Sequence, residues 1–151
     1  MNIRPYTAED AEPLADIWLC ASLKAHSFIA ADYWHTHREQ LVREYLPNSQ
    51  NLVLESAPGQ PAAFISMLGR HIAALFVHPY FQGCGYGSAL LRHVQQRHNS
   101  LTLHVYADNT DAIHFYQYHG FRITASGTDS ATGAAEHHML WQRPDCTRFP
   151  G

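Results

Sequence analysis

Leu75-Phe76-Val77-His78-Pro79-Tyr80-Phe81-Gln82-Gly83-Cys84-Gly85-Tyr86-Gly87-Ser88 is the stretch on which the reading of this sequence turns. An apolar strand end runs into a glycine-rich loop that opens a helix. The first N–H groups of a helix have no partner within it, and its aligned peptide dipoles leave partial positive charge at the same end. Unsatisfied donors and a favourable field therefore meet in one small volume, which suits a phosphate. Glycine at 83, 85 and 87 removes side chains that would hold an anion away and permits the positive φ that turns successive amides inward. The common nucleotide patterns fail here. No Lys follows as a P-loop requires, and the third glycine of G-x-G-x-x-G is replaced by Ser88 or Leu90, depending on the frame. On the loop alone, a glycine-bearing turn that merely starts a helix stays open.

Working outward, residues 2–5 read as a short strand. Thr7 and Asp10 form a variant capping box before a helix carrying Leu14, Ile17, Trp18 and Ala21 at helical spacing. Residues 31–46 form a second helix that stops before Pro47, since proline disfavours helical geometry just upstream. Residues 51–55 and 61–68 flank the turn Ala57-Pro58-Gly59-Gln60 as a hairpin, and a strand at 72–77 follows Gly69. Residues 62–68 are nearly all apolar, as expected of a strand covered on both faces. A helix at 85–98, a strand at 101–106 and a helix at 110–119 come next, the last stopped by Gly120 in a left-handed conformation. Strands at 121–126 and 136–142 close the order β-α-α-β-β-β-α-β-α-β-β. The fold class is α/β (α+β): a mixed, twisted sheet of about seven strands with four helices on both faces.

Composition bounds the function. With 151 residues, 46% hydrophobic and 15% charged, the chain is expected to form one domain over 1–143 with a short tail at 144–151. Ten Lys+Arg against thirteen Asp+Glu leave no basic excess for nucleic acid. No apolar run approaches the roughly 20 residues of a membrane span, and no signal peptide opens the sequence, so a cytoplasmic location is expected. Three cysteines, Cys20, Cys84 and Cys146, are odd in number and read as thiols. The twelve histidines have no metal-ligand spacing, so no metal is expected, but their protonation makes acid poorly tolerated.

The motif Gln82-x-x-Gly85-x-Gly87 resembles the acetyl-CoA diphosphate loop of the GNAT superfamily of N-acetyltransferases. A second match follows at the family spacing: Asn109, Ala112, Phe115, Tyr116, Gly120 and Phe121 resemble its N-x-x-A-x-x-F-Y-x-x-x-G-F segment. The resemblance runs from about residue 2 to 142. His26-Ser27-Phe28-Ile29, Tyr33-Trp34, residues 73–77 and residues 94–98 are most similar to small bacterial peptidyl-lysine acetyltransferases of the YiaC type. One departure stands out: many loops of the family carry Arg or Lys where Gly83 and Cys84 stand, so phosphate binding leans on backbone amides, with Arg92 as a candidate helper.

The resemblance implies an acetyl-CoA-dependent transferase acting on a primary amine, first of all a protein lysine. A small amine or peptide N-terminus is the second choice, and a non-catalytic acetyl-CoA sensor is the alternative of another class. It assigns cofactor contacts to Leu75, Phe76, Val77, Gln82, Gly83, Cys84, Gly85, Tyr86, Gly87, Ser88, Asn109, Ala112 and Phe115. Asn109 also reads as a helix N-cap. Tyr116 is implied as the general acid toward the departing thiolate, although its spacing alone makes it a core aromatic. A lysine of pKa ~10.4 needs a base at neutral pH. His71 is the leading candidate, with an exposed strand-end histidine as the other reading. His26, Tyr33 and Glu55 are candidates for the acceptor mouth. No feature of the sequence sets the oligomeric state.

Overall fold

A computed structural model of the chain describes residues 1–144, so the expected tail lies outside the described residues except for Pro144, as does Cys146. The strands are β1 (Asn2–Pro5), β2 (Gln50–Ala57), β3 (Gln60–Leu68), β4 (His71–Val77), β5 (Ser100–Tyr106), β6 (Arg122–Thr128) and β7 (Ala135–Gln142). The helices are α1 (Ala11–Ala25), α2 (Ala31–Gln40), α3 (Tyr86–Gln95) and α4 (Thr110–Tyr118). All seven strands form one sheet in the order β1-β2-β3-β4-β5-β7-β6. Only β4 and β5 run parallel; every other neighbouring pair is antiparallel.

Local chemistry sets the element ends. The Asp10 carboxylate accepts from the Thr7 N–H at 2.8 Å, the bond the capping box predicts, and also from the Thr7 hydroxyl at 3.2 Å. The second helix departs from expectation in its last stretch, where residues 41–45 widen into a π-helical turn closed by the Leu46 N–H on the Leu41 carbonyl at 2.9 Å. Pro47 brings no N–H to continue the ladder. Gly120 adopts φ +93°, while its N–H bonds to Gln117 O and the Phe121 N–H bonds to Tyr116 O, both at 3.0 Å. That pair of bonds is the Schellman closure expected at a glycine-terminated helix.

Two apolar layers sandwich the sheet. On one face Leu90, Leu91 and Val94 of α3 and Ile113 and Tyr116 of α4 pack on Ile65, Ile72, Leu103 and Met139. On the other, Leu14, Ala15 and Ile17 of α1 pack with Leu41 and Leu46 on Val53 and Phe64. β3 supplies both layers, and Ala62, Ala63, Phe64 and Ile65 are fully buried, matching its continuous apolar run. No helix among the described residues is long and apolar enough to cross a membrane.

The sheet is interrupted where it matters. β4 and β5 pair only through His71 with Thr102 and Ile72 with Leu103. A register shift in β4 then inserts Ala73 as an extra residue: Ser66 faces Ala74 while Met67 faces Ile72. Such a bulge bends its strand. Beyond it β4 remains paired to β3, and β5 remains paired to β7 out to Tyr106, so the two strands diverge into a notch between them.

Candidate active site

The glycine loop sits at the open end of this notch. Gly83 and Gly85 have φ of +85° and +82°, with Gly85 as the N-cap of α3. A side chain at either position would meet open space, so glycine is needed there for its backbone conformation. Gly87 differs: a Cβ would lie 3.5 Å from both Val77 and Phe115, close to the strand end and α4. The first α3 bond is Ala89 N–H to Gly85 O at 3.0 Å, and the N–H groups of residues 83–88 find no acceptor among the described residues. Residues 82–85 are exposed, so these donors are open to a ligand. Leu75, Phe76 and Val77 are only half-buried, on the β4 segment facing the notch.

Several of the expected site residues carry other bonds. The Ser88 hydroxyl is 3.0 Å from His119 Nε2, which leaves its backbone N–H as the group presented to the loop. Gln82 accepts from Lys24 Nζ at 2.9 Å and donates through Nε2 to the Val77 carbonyl at 3.3 Å. Arg92 stands about two helical turns from the α3 start and lines a groove with Gln95, Gln96, Trp141 and Arg143.

Asn109 caps α4 by accepting the Ala112 N–H at 3.2 Å, which satisfies its expected N-cap role. Ala112 and Phe115 are half-buried beside the loop, and Phe115 lies across from Gly87. Tyr116 is nearly enclosed, with ring contacts to Phe115 at 5.2 Å and Phe121 at 5.5 Å. Its hydroxyl makes no hydrogen bond among the described residues, and burial pushes the phenol well above its ordinary range.

His71 lies at the closed end of the notch. Its Nδ1 is 2.8 Å from the Thr102 hydroxyl, and Nε2 has no hydrogen-bond partner among the described residues. Burial lowers its pKa first, and the neighbouring His104 and His138 lower it further, so the ring is neutral near pH 7. His104 and His138 continue a ladder of rings across β5 and β7, with centroids 5.1 and 4.9 Å apart. No group of three His, Cys, Asp or Glu residues among those described is placed to hold a metal.

The acceptor-mouth candidates separate. Tyr33 lines an open cleft of about 320 Å³ with Phe28, Ile29 and Ala30 on one wall and residues 131–134 on the other. Asp129 braces the second wall. Its carboxylate accepts from Tyr106 Oη at 2.6 Å, the Thr132 hydroxyl at 3.1 Å and the Ala131 N–H at 3.0 Å. Burial, with Asp129 nearby, raises the Tyr33 phenol above its usual value.

His26 lies behind the cleft rather than on its surface. It is 7% exposed, stacked on Trp34 at 5.1 Å and edge-on to Phe28 and Tyr106. The apolar residues that complete the α1–α2 corner draw it inward. Glu55 lies apart from the other two. It lies on β2, toward the far edge of the sheet, held by Arg4 at 3.2 Å and the Gly59 N–H at 2.9 Å. A hairpin turn and an ion pair claim that carboxylate.

Sequence reasoning missed Tyr106, Thr102 and Asp129, which brace the notch and the cleft. Tyr106 and Thr102 fall in the polar half of an alternating strand, a pattern that marks a face open to solvent or ligand. Asp129 carries only the Asx-turn signal of a loop.

The comparisons agree with this geometry. Residues 47–123 match the acetyltransferase (GNAT) domain family. Peptidyl-lysine N-acetyltransferase YiaC of Escherichia coli K12 is 37% identical over 140 residues, covering 92% of this chain and 95% of that protein. The solution structure of apo YjaB from Escherichia coli superposes with a TM-score of 0.83 at 30% identity, covering 95% of this chain and 98% of that one. PaiA N-acetyltransferase from Thermoplasma acidophilum, solved in complex with coenzyme A, shares the fold at 17% identity with a TM-score of 0.77, over 93% and 98% of the two chains. The glycine loop, the parted strands and the α4 segment thus belong to a chain of the GNAT superfamily, of the YiaC type, and the protein is an acyltransferase.

Proposed function

We propose that residues 1–143 form one acetyl-CoA-dependent domain that transfers an acetyl group to the side chain of a protein lysine. The observation that carries this reading is the notch. Two paired residues join β4 to β5, after which the strands part, and the open end meets the unsatisfied N–H groups of residues 83–88. A slot for an extended arm and a nest for a diphosphate are what coenzyme A requires. Family membership supports acetyl-CoA as cosubstrate, and the name of the YiaC relative supports lysine as acceptor.

Bound there, the thioester supplies an activated acetyl group. The backbone of Leu75, Phe76 and Val77 holds the arm, and Asn109, Ala112 and Phe115 border it. An N–H of β4 donates to the thioester carbonyl, where such a donor contributes typically ~2.7–4 kcal/mol to the transition state. At neutral pH a lysine must lose a proton at a cost of about 4.6 kcal/mol. His71 Nε2 accepts that proton, directly or through water, while Thr102 fixes the ring through Nδ1. The amine nitrogen then bonds to the acetyl carbon, the carbon–sulfur bond breaks and the sulfur leaves with the electron pair, taking a proton from Tyr116, while the nitrogen sheds its second proton to solvent, which reprotonates the phenolate. Tyr116 meets the sulfur as a neutral phenol. Its enclosed position keeps the proton on the ring oxygen until negative charge develops nearby. The acceptor chain enters over the cleft between residues 28–33 and 131–134.

A panel of lysine peptides, N-terminal peptides blocked at lysine, and polyamines, assayed for release of coenzyme A thiol with mass spectrometry of the products, tests this. Lysine peptides are expected to turn over fastest, with the added acetyl on Nζ. Thiol release confined to polyamines or to α-amines would refute the protein-lysine assignment.

A further inference from the structure

Lys24 is the one lysine among the ten cationic Lys and Arg residues of the sequence. It stands exposed in the last turn of α1, and no carboxylate pairs with it among the described residues. Its Nζ instead donates to Oε1 of Gln82, the first residue of the glycine loop, at 2.9 Å. Gln82 is thereby strung between Lys24 and the end of β4, where its Nε2 reaches the Val77 carbonyl.

The loop itself carries no charged side chain from Gln82 to Ser88. A helix terminus offers only about half an elementary charge, whereas a diphosphate linkage carries two negative charges. The nearest Lys or Arg along α3, Arg92, lies about two helical turns from the loop and lines a groove with Gln95, Gln96, Trp141 and Arg143. Lys24 reaches the loop from another helix, on a flexible stem that moves a compact point charge by several ångströms.

We propose that Lys24 is the cation of the diphosphate site, exchanging its bond to Gln82 for one to a diphosphate oxygen of bound coenzyme A. The inference rests on the reading of residues 83–88 as that site. It accounts for a loop that lacks a basic residue of its own: the charge comes from α1, and Gln82 parks it when no ligand is bound.

Calorimetric titration of the wild-type chain, Lys24→Met and Lys24→Arg with coenzyme A, 3′-dephospho-coenzyme A and pantetheine tests it. Lys24→Met is expected to weaken coenzyme A and the dephospho compound alike, by about tenfold, or ~1.4 kcal/mol. Lys24→Arg should recover most of the loss, pantetheine should not distinguish the three proteins, and the gap should narrow as salt rises. Because the sequence has one lysine, reductive ¹³C-methylation gives a single side-chain signal, which coenzyme A should shift and pantetheine should not. Unchanged affinity in Lys24→Met, or a still signal, overturns the proposal. A loss seen with coenzyme A but absent with the dephospho compound also overturns it, by moving the contact to the ribose phosphate. Wild-type protein that binds no coenzyme A at all would instead overturn the diphosphate reading beneath it.

Discussion

Asn109 Nδ2 donates to His26 Nε2 at 3.2 Å, joining the N-cap of α4 to the corner between α1 and α2. Because Asn109 Oδ1 already takes the Ala112 N–H, the amide can present only its NH₂ to His26. His26 must therefore accept at Nε2 and carry its proton on Nδ1, which is buried and without a partner. The wall of the cleft beside Tyr33 and the border of the β4–β5 notch are tied through one neutral imidazole.

That bond makes a pH prediction with a definite sign. Burial lowers the His26 pKa from 6.5 to about 4, so between those values the unfolded chain binds the proton and the folded chain does not. The contribution of neutral His26 is full above about pH 6.5 and is lost as pH falls toward 4, on the order of 3 kcal/mol in all. Urea unfolding at pH 4.5 and 7 should show a larger difference for the wild-type chain than for His26→Gln. An equal pH dependence in both proteins contradicts the assignment.

Tyr116→Phe separates catalysis from packing. The hydroxyl has no hydrogen-bond partner among the described residues, so its removal should change stability by no more than about 0.5 kcal/mol. Turnover should fall by roughly 10²-fold or more while coenzyme A affinity stays within about twofold. Steady-state kinetics beside calorimetry decides the matter; unchanged turnover would leave Tyr116 as a core aromatic.

For His71, the test is the acid limb of kcat/KM. Burial and the facing histidines His104 and His138 hold its pKa below 6.5, so the neutral ring should sustain activity to pH values lower than a free histidine would. His71→Gln should lower kcat/KM by about 10²-fold and abolish that limb. A profile unchanged in shape would assign the base elsewhere.

Two glycines of one loop should respond differently to alanine. Gly85→Ala forces a side chain into φ +82° and should cost about 1–2 kcal/mol by urea unfolding. Gly87→Ala places its Cβ at ordinary contact distance from Val77 and Phe115 within a helix, where alanine is favoured, and should be neutral or slightly stabilising. Equal losses at the two positions would mean that the loop does not hold the stated backbone.

The sequence by itself determined whatever rests on neighbours along the chain. Glycine spacing at 83, 85 and 87, the Thr7–Asp10 cap, the stop at Gly120 and the apolar run of β3 all act within a few residues, and each appears where it was expected. The α4 segment was legible for the same reason. Tertiary structure alone decided what depends on register and on distant partners. The return of β7 between β5 and β6 is a pairing made across the intervening α4 and β6, and the bulge at Ala73 that parts β4 from β5 is a register shift within the β3–β4 hairpin, and no local residue pattern encodes either. His26 and Glu55 show the same limit in single side chains. Each reads as a free polar group until the fold brings Trp34 and Asn109 to the one and Arg4 to the other. Burial and pairing belong to the assembled sheet, so the cleft beside Tyr33 exists only once residues 28–33 and 131–134 face each other.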